Sequence, residues 1–321
     1  MTISAKMILD SVSPNRIRLR TMQLRYPKFI HAELMTHRAF SRNASSSRAI
    51  PVNRLIQDVI DDTAMPLKWF SNKTGMQGGE EIVGADREFL VTEWNDARDY
   101  AVRKARRMTA ANAHKQHVNR VLDPFSHINV LVTSTDWANW DALRDHDAAQ
   151  PEIRELAKQI KLASEASTPM LLQPGHWHLP YVTPEDWIEA TEKNGDDLIE
   201  PHQVKTLIKL SVARCARVSY MTQDGKPPQF HQDLQLYDRL IGSEPLHASP
   251  AEHQATPDIY EKGTEGPRAS WHPDHWANPT WHGNFRGWIQ FRKTLRGESV
   301  LDLPFVCSPS TVSADLSSEA S

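Results

Sequence analysis

Cysteine is almost missing from this chain: 321 residues carry Cys215 and Cys307 and no others. Two thiols are too few for a disulfide scaffold or a cysteine-rich metal site. Cys215 falls inside an apolar helical pattern and reads as a small core residue, while Cys307 opens a serine-rich tail. Long apolar runs are also lacking. No stretch approaches the ~20 residues that span a bilayer, and the N-terminus has no signal-peptide core, so a cytoplasmic protein without membrane contact is expected. A basic excess is absent too. The net charge of −3 argues against broad nucleic-acid binding, and 39% apolar residues suffice for a core. No internal repeat or heptad run appears.

Positive charge is instead concentrated locally. Arg16, Arg18, Arg20 and Arg25 precede Thr36-His37-Arg38-Ala39-Phe40-Ser41-Arg42-Asn43-Ala44-Ser45-Ser46-Ser47-Arg48. Upstream, Pro27 sits at a helix start, and Phe29, Ile30, Ala32, Leu34 and Met35 can cover a buried helix face. His37 and Arg38 then fall at that helix's C-terminus. From Ser41 to Ser47 hydroxyl and amide side chains favour a loop. Serine hydroxyls, backbone N–H groups and the Arg48 fork are the donors that phosphate oxygens require. On spacing alone, an ordinary polar surface loop accounts for the stretch equally well.

Three blocks resemble flavin-dependent thymidylate synthases. His37, Arg38, Ser41, Asn43, Ser46 and Arg48 follow that family's arginine signature, with Thr36 in place of its first Arg and Ala44 in place of its Glu; Glu33 stands where the family has Gln. His247-Ala248-Ser249-Pro250-Ala251-Glu252-His253 resembles the family's His-x-Ser/Thr-Pro-x-Glu-His element, preceded by Ala216-Arg217-Val218-Ser219-Tyr220. Asn119–Asp123 with Arg120, a β-rich run at Ile128–Val132, then Asn139, Leu143-Arg144 and Gln150-Pro151-Glu152-Ile153 resemble the third block. In the family the His-x-Ser/Thr-Pro element comes first; here it comes last. The resemblance therefore implies a circular permutation, which surface termini tolerate.

The resemblance also implies a role for each of these residues. His37, Arg38, Asn43, Asn139, His247, Ser249 and Glu252 would hold FAD. Glu33, Ser46, Ser47, Arg48, Arg120 and Arg144 would bind a pyrimidine deoxynucleoside monophosphate, with Arg144 and Ser46 catalytic. NADPH and methylenetetrahydrofolate would be co-substrates, the activity one-carbon transfer to C5 of dUMP, and the assembly a homotetramer. The unrelated folate-dependent enzymes use a cysteine nucleophile, and neither cysteine here suits that role. The replacements at Thr36, Ala44 and Glu33 leave room for dCMP as substrate or a hydroxymethyl product. A flavin- and nucleotide-binding protein without catalysis is the reading from another class.

The expected fold is α/β in the α+β sense: a central, mostly antiparallel sheet flanked by helices, one catalytic domain over 1–305 and a disordered tail over 306–321. Strands are expected at Lys6–Val12 and Arg16–Leu24 around a Pro14-Asn15 turn, and helices at Val52–Ile60, Arg87–Ala113, Glu152–Glu165, Glu185–Thr191, Val204–Ala216 and Gln232–Ile241. The loop from Ser71 to Gly84 is long enough for a lid. Segments 151–200 and 258–283 are atypical of the family. Within or beside them, Gly175–Tyr181, Trp271–Trp276, Trp281 and His282 concentrate His and Trp; these either wall a ring-binding pocket or fill a core, and no ligand spacing for a metal is completed. Asn284–Lys293 reads as a basic amphipathic helix.

Overall fold

The computed structural model describes residues 2–192, 201–220, 229–242, 244, 246–262 and 275–299. Its centre is a five-stranded sheet of β1 (Ser4–Val12), β2 (Arg18–Pro27), β3 (Ser41–Ala44), β4 (His127–Ser134) and β5 (Met170–Leu171), in the order β3-β4-β2-β1-β5. All pairings are antiparallel except β1 with β5. The β1–β2 connection is a tight turn in which Ser13 N–H donates to Ile17 O and Arg16 N–H to Ser13 O, with Arg16 at φ 60°.

Period-two alternation gives the sheet two different faces. Met22, Leu24 and Tyr26 of β2 and Ile128, Val130 and Val132 of β4 form one apolar face. Against it pack α1 (His31–Met35), α5 (Ala138–Arg144) and α6 (Pro151–Glu165). Proline at N1 starts α6, and Ile153, Leu156, Ala157 and Ile160 recur at helical spacing to bury one stripe. Arg18 ties the far end of α6 to the hairpin: it pairs with buried Asp10 and donates to Ser164 O at 2.9 Å. A second layer of α2 (Val52–Asp61), α3 (Gly84–Ala110) and α4 (Lys115–Val118) has its own core of Leu55, Ile56, Val59, Val102, Ala105 and Leu122.

On the opposite face α8 (Pro201–Tyr220) packs against β3 and β4, and it shares with α7 (Pro184–Glu192) and α9 (Phe230–Ile241) a core including Leu207, Leu210, Val212 and Tyr237. Buried Arg214 of α8 pairs with Asp186 of α7 and Asp233 of α9, fixing the three together. The short strands β6 (Ala255–Pro257) and β9 (Trp288–Gln290) pair with each other, as do β7 (Tyr260–Glu261) and β8 (His275–Trp276).

Three sequence expectations need correction. Ser41–Ala44 is the edge strand β3, because β4 offers it a ladder that outweighs its turn-forming composition. The helix ahead of His37 is a 3₁₀ turn at Lys28–Ile30 followed by only five α-helical residues. Asn284–Lys293 is β9 and a 3₁₀ turn, not a helix. Gly287 breaks it: its φ is 74°, and a Cβ there would lie 2.7 Å from Ile17 Cδ1 and 2.8 Å from Trp276 Cη2. The 306–321 tail, Cys307 and Trp271–Asp274 lie outside the described residues. No helix among the described residues is long and apolar enough to cross a membrane.

Candidate active site

The chain leaves α1 at Met35 and enters β3 at Ser41, so His37–Phe40 is a tight corner beside the end of β4. His37 N–H donates to Leu34 O and Phe40 N–H to His37 O. Beneath it lies an aromatic floor: the His37 ring is 4.8 Å from Trp140 edge-on and 5.7 Å from Phe40, and Phe40 is 4.6 Å from Trp137. From α5, Arg144 reaches over the corner. Its Nε donates to His37 Nε2 at 3.0 Å, Nη1 to Glu33 Oε2 at 3.0 Å, and Nη2 to Thr36 Oγ1 at 3.4 Å. His37 Nε2 must therefore carry a lone pair, which makes the ring neutral with its proton on Nδ1. Burial, then the charges of Arg144 and Arg42, hold its pKa below the usual histidine value. Thr36, His37, Arg38, Phe40, Asp136, Asn139, Trp140 and Arg144 line a cavity of about 170 Å³.

A second, larger cavity of about 580 Å³ opens on the other side of Arg38 and Phe40. Its walls come from both ends of the chain. Arg38 and Arg42 belong to the arginine stretch; Glu252, Asn284, Gln290, Arg292 and Lys293 come from the C-terminal part. The joint is made by hydrogen bonds. Ser41 Oγ contacts Asn284 Oδ1 and accepts from Gln290 Nε2, both at 3.1 Å, while Gln290 Nε2 also donates to Glu252 O at 3.0 Å. Arg292 pairs with Glu252 and Glu298. The turn Ser249–Glu252 packs on β3 and α8. Arg42, half-buried, donates to Met35 O and His37 O; desolvation lowers its pKa, opposed by the nearby Glu252 charge.

Behind this turn runs a buried chain of polar groups. Ser11 Oγ meets His178 Nδ1 at 2.8 Å, His178 Nε2 meets Thr21 Oγ1 at 2.8 Å, Thr21 meets Thr133 at 2.6 Å, and Thr133 meets His253 Nδ1 at 2.8 Å. Each hydroxyl has one proton, so with both rings neutral the chain is polarised in a single direction. Complete burial pushes both histidines down to about 3. His178, in the His/Trp-rich stretch, thus belongs to the core, as does His282, which contacts Asp258 at 2.8 Å.

The structure brings Glu33, His37, Asn139 and Arg144 together, and Arg38 with Glu252. Asn43 points into the interior, its amide donating to Cys215 O at 2.6 Å, so it ties β3 to α8. His247 and Ser249 are exposed and line neither cavity. Ser46, Ser47 and Arg48 lie past the opposite end of β3, where Asn119 Nδ2 donates to Ser47 O at 2.6 Å. Arg120 is nearby and exposed, 3.2 Å from Asp123. The expected nucleotide set is thus split in one chain between the two ends of β3, Glu33 and Arg144 at one and Ser46, Ser47, Arg48 and Arg120 at the other. Arg42, Arg292, Lys293 and Trp140 line these cavities and were not singled out from the sequence; Arg42 lay inside the signature, whereas the misread helix hid Arg292 and Lys293. Among the described residues no three His, Cys, Asp or Glu side chains group as metal ligands.

No protein-family model matches the sequence, and no curated protein does. Among solved structures, two crystal structures of a UMP/dUMP methylase, PolB from Streptomyces cacaoi, are similar. The one bound with 5-Br dUMP has 18% identity and a TM-score of 0.42, covering 51% of this chain and 90% of that chain. The one bound with 5-Br UMP has 18% identity and a TM-score of 0.41, covering 51% and 88%.

Proposed function

We propose that this chain transfers a one-carbon unit to C5 of a pyrimidine deoxynucleoside monophosphate, dUMP to dTMP in its simplest form, using FAD with NADPH and methylenetetrahydrofolate as co-substrates. The observation that carries the reading is the junction of the arginine stretch with Glu252 of the His-x-Ser-Pro-x-Glu-His element: Arg38, Arg42 and Glu252 line one cavity although the two segments are far apart in the sequence. That junction is what a permuted flavin-dependent thymidylate synthase requires.

The residues present fit such a cofactor. The cavity of about 580 Å³ is within the range of cofactor sites and offers Arg38 and Arg42 to an anionic group, while Arg292 and Lys293 are held by Glu252 and Glu298. When bound, the flavin supplies the hydride and relays the carbon. The protein's part is orientation and charge. Phe40, shared by both cavities, gives an apolar surface between them, and neutral His37 accepts from Arg144 and so fixes its direction. Redirected toward a pyrimidine ring, the Arg144 guanidinium stabilises negative charge developing on the ring carbonyls as C5 attacks. Ser46, Ser47, Arg48 and Arg120, at the far end of β3, complete a site only in a homo-oligomer, such as a tetramer, whose subunits share their sites.

One observation favours a second reading. Glu33 holds Arg144 and is itself an acceptor beside the cavity, suited to an exocyclic amine, which is the edge dCMP presents. The test is folate-dependent NADPH oxidation with mass analysis of the nucleotide product. Turnover of dUMP to dTMP supports the first reading, turnover of dCMP or a hydroxymethyl product the second, and flavin binding without turnover a protein that has lost catalysis.

A further inference from the structure

Helix α3 is 27 residues long, yet only Ala101, Val102 and Ala105 of it are buried. Its first two turns are exposed at every position from Gly84 to Phe89. A helical segment without packing is marginal in water, because most helix stability comes from burying one face. This one also shows large apolar groups to solvent: Phe89 is 61% exposed, Tyr100 54%, and Val83, at the entry to the helix, 67%.

Six of its exposed residues lie along a stripe with an internal symmetry. Phe89, Glu93, Asp96, Tyr100, Arg103 and Arg107 recur at alternating steps of four and three, the spacing of a helix–helix seam, and are all exposed. The acidic members lie in the N-terminal half and the basic ones in the C-terminal half. None of Glu93, Asp96, Arg103 and Arg107 has an ion-pair partner among the described residues.

We propose that α3 is the docking surface for a second copy of this chain, packed antiparallel about a twofold axis near the helix midpoint. In that arrangement Glu93 faces Arg103 of the other copy, Asp96 faces Tyr100, and Phe89 lies against the stem of Arg107, each contact occurring twice as an isologous interface demands. The helix gives a strip ~40 Å long and ~10 Å wide. A stable dimer needs roughly 800 Å² per partner, more than this strip alone, so α3 forms the centre of the surface and exposed Val83 at its entry extends it. The inference specifies the self-association included in the proposed function, and does not depend on the chemistry.

Sedimentation of the full chain, without nucleotide or folate, tests it. The expected result is a dimer or an even multiple for the native chain, dissociation constants raised at least ~tenfold for Glu93→Arg and for Arg103→Glu, and recovery in the double variant, whose charges again complement. Circular dichroism verifies that each variant is folded. As a second measurement, chains with Asp96→Cys mixed with chains carrying Tyr100→Cys cross-link on oxidation. A native monomer, single variants that assemble like the native chain, a double variant that does not recover, or no cross-link would overturn the proposal.

Discussion

Thr133→Val probes the seam between the sheet and the C-terminal element. Thr133 is completely buried and stands between Thr21 and His253. Valine matches its shape, so no cavity opens and the effect isolates the hydroxyl. Two buried hydrogen bonds disappear, each worth ~0.5–1.5 kcal/mol net. Thr21 keeps His178, but His253 is left with nothing, because its Nε2 already lacks a partner. Leaving that ring polar and buried adds ~1–3 kcal/mol, for an expected total of ~2–6 kcal/mol. Urea unfolding should show a lower midpoint with an unchanged slope. Because His253 follows Glu252 in the chain, flavin affinity should fall as well. A stability loss below ~0.5 kcal/mol would refute the reasoning, since it would mean that the chain of hydroxyls and imidazoles holds nothing together.

The same contacts dictate further outcomes. Arg18→Met leaves the buried Asp10 carboxylate without its cation and should cost ~3 kcal/mol in chemical unfolding. His178 and His253 have folded pKa values near 3, below the usual value of about 6.5, so the unfolded chain takes up their protons first. Their contribution to stability is complete above about pH 6.5 and is lost as pH falls toward 3, by roughly 1.4 kcal/mol per pH unit for each ring; a denaturation series across that window reads it. Arg144→Lys keeps the charge but loses the fork, and should lower turnover by ~10²-fold or more while flavin binding persists. Glu33→Gln frees Arg144 from its anion and should raise selectivity for a carbonyl-bearing ring over an amino-bearing one, read as the ratio of kcat/KM for dUMP and dCMP.

Much of the scaffold was legible because its signals are periodic. The β1–β2 hairpin follows from alternation around Pro14-Asn15, and α6 from proline at its start and an apolar stripe. β3 was not, since Ser-Arg-Asn-Ala has turn-former chemistry and becomes a strand only through β4. The Trp288–Lys293 segment carries the apolar and basic spacing of an amphipathic helix, and only the tertiary crowding of Gly287 against Ile17 and Trp276 reveals the break. At the site, motif resemblance grouped Arg38 with Glu252 for the flavin, but it assigned His37 and Arg144, which touch in this structure, to different ligands. It could not show that Asn43's amide is occupied by the Cys215 carbonyl, nor that Arg292 neutralises Glu252, because both depend on packing between distant segments.

The most direct test of the central claim is a titration of the full chain with FAD, followed by absorbance near the isoalloxazine band, before and after adding dUMP. If the arginine stretch and the Glu252 turn form one cofactor cleft beside a nucleotide site, the native chain binds flavin, dUMP perturbs the bound spectrum, and Arg42→Ala and Glu252→Gln each weaken binding. A native chain that leaves the flavin spectrum unchanged, or variants at both positions that bind as the native chain does, would contradict it.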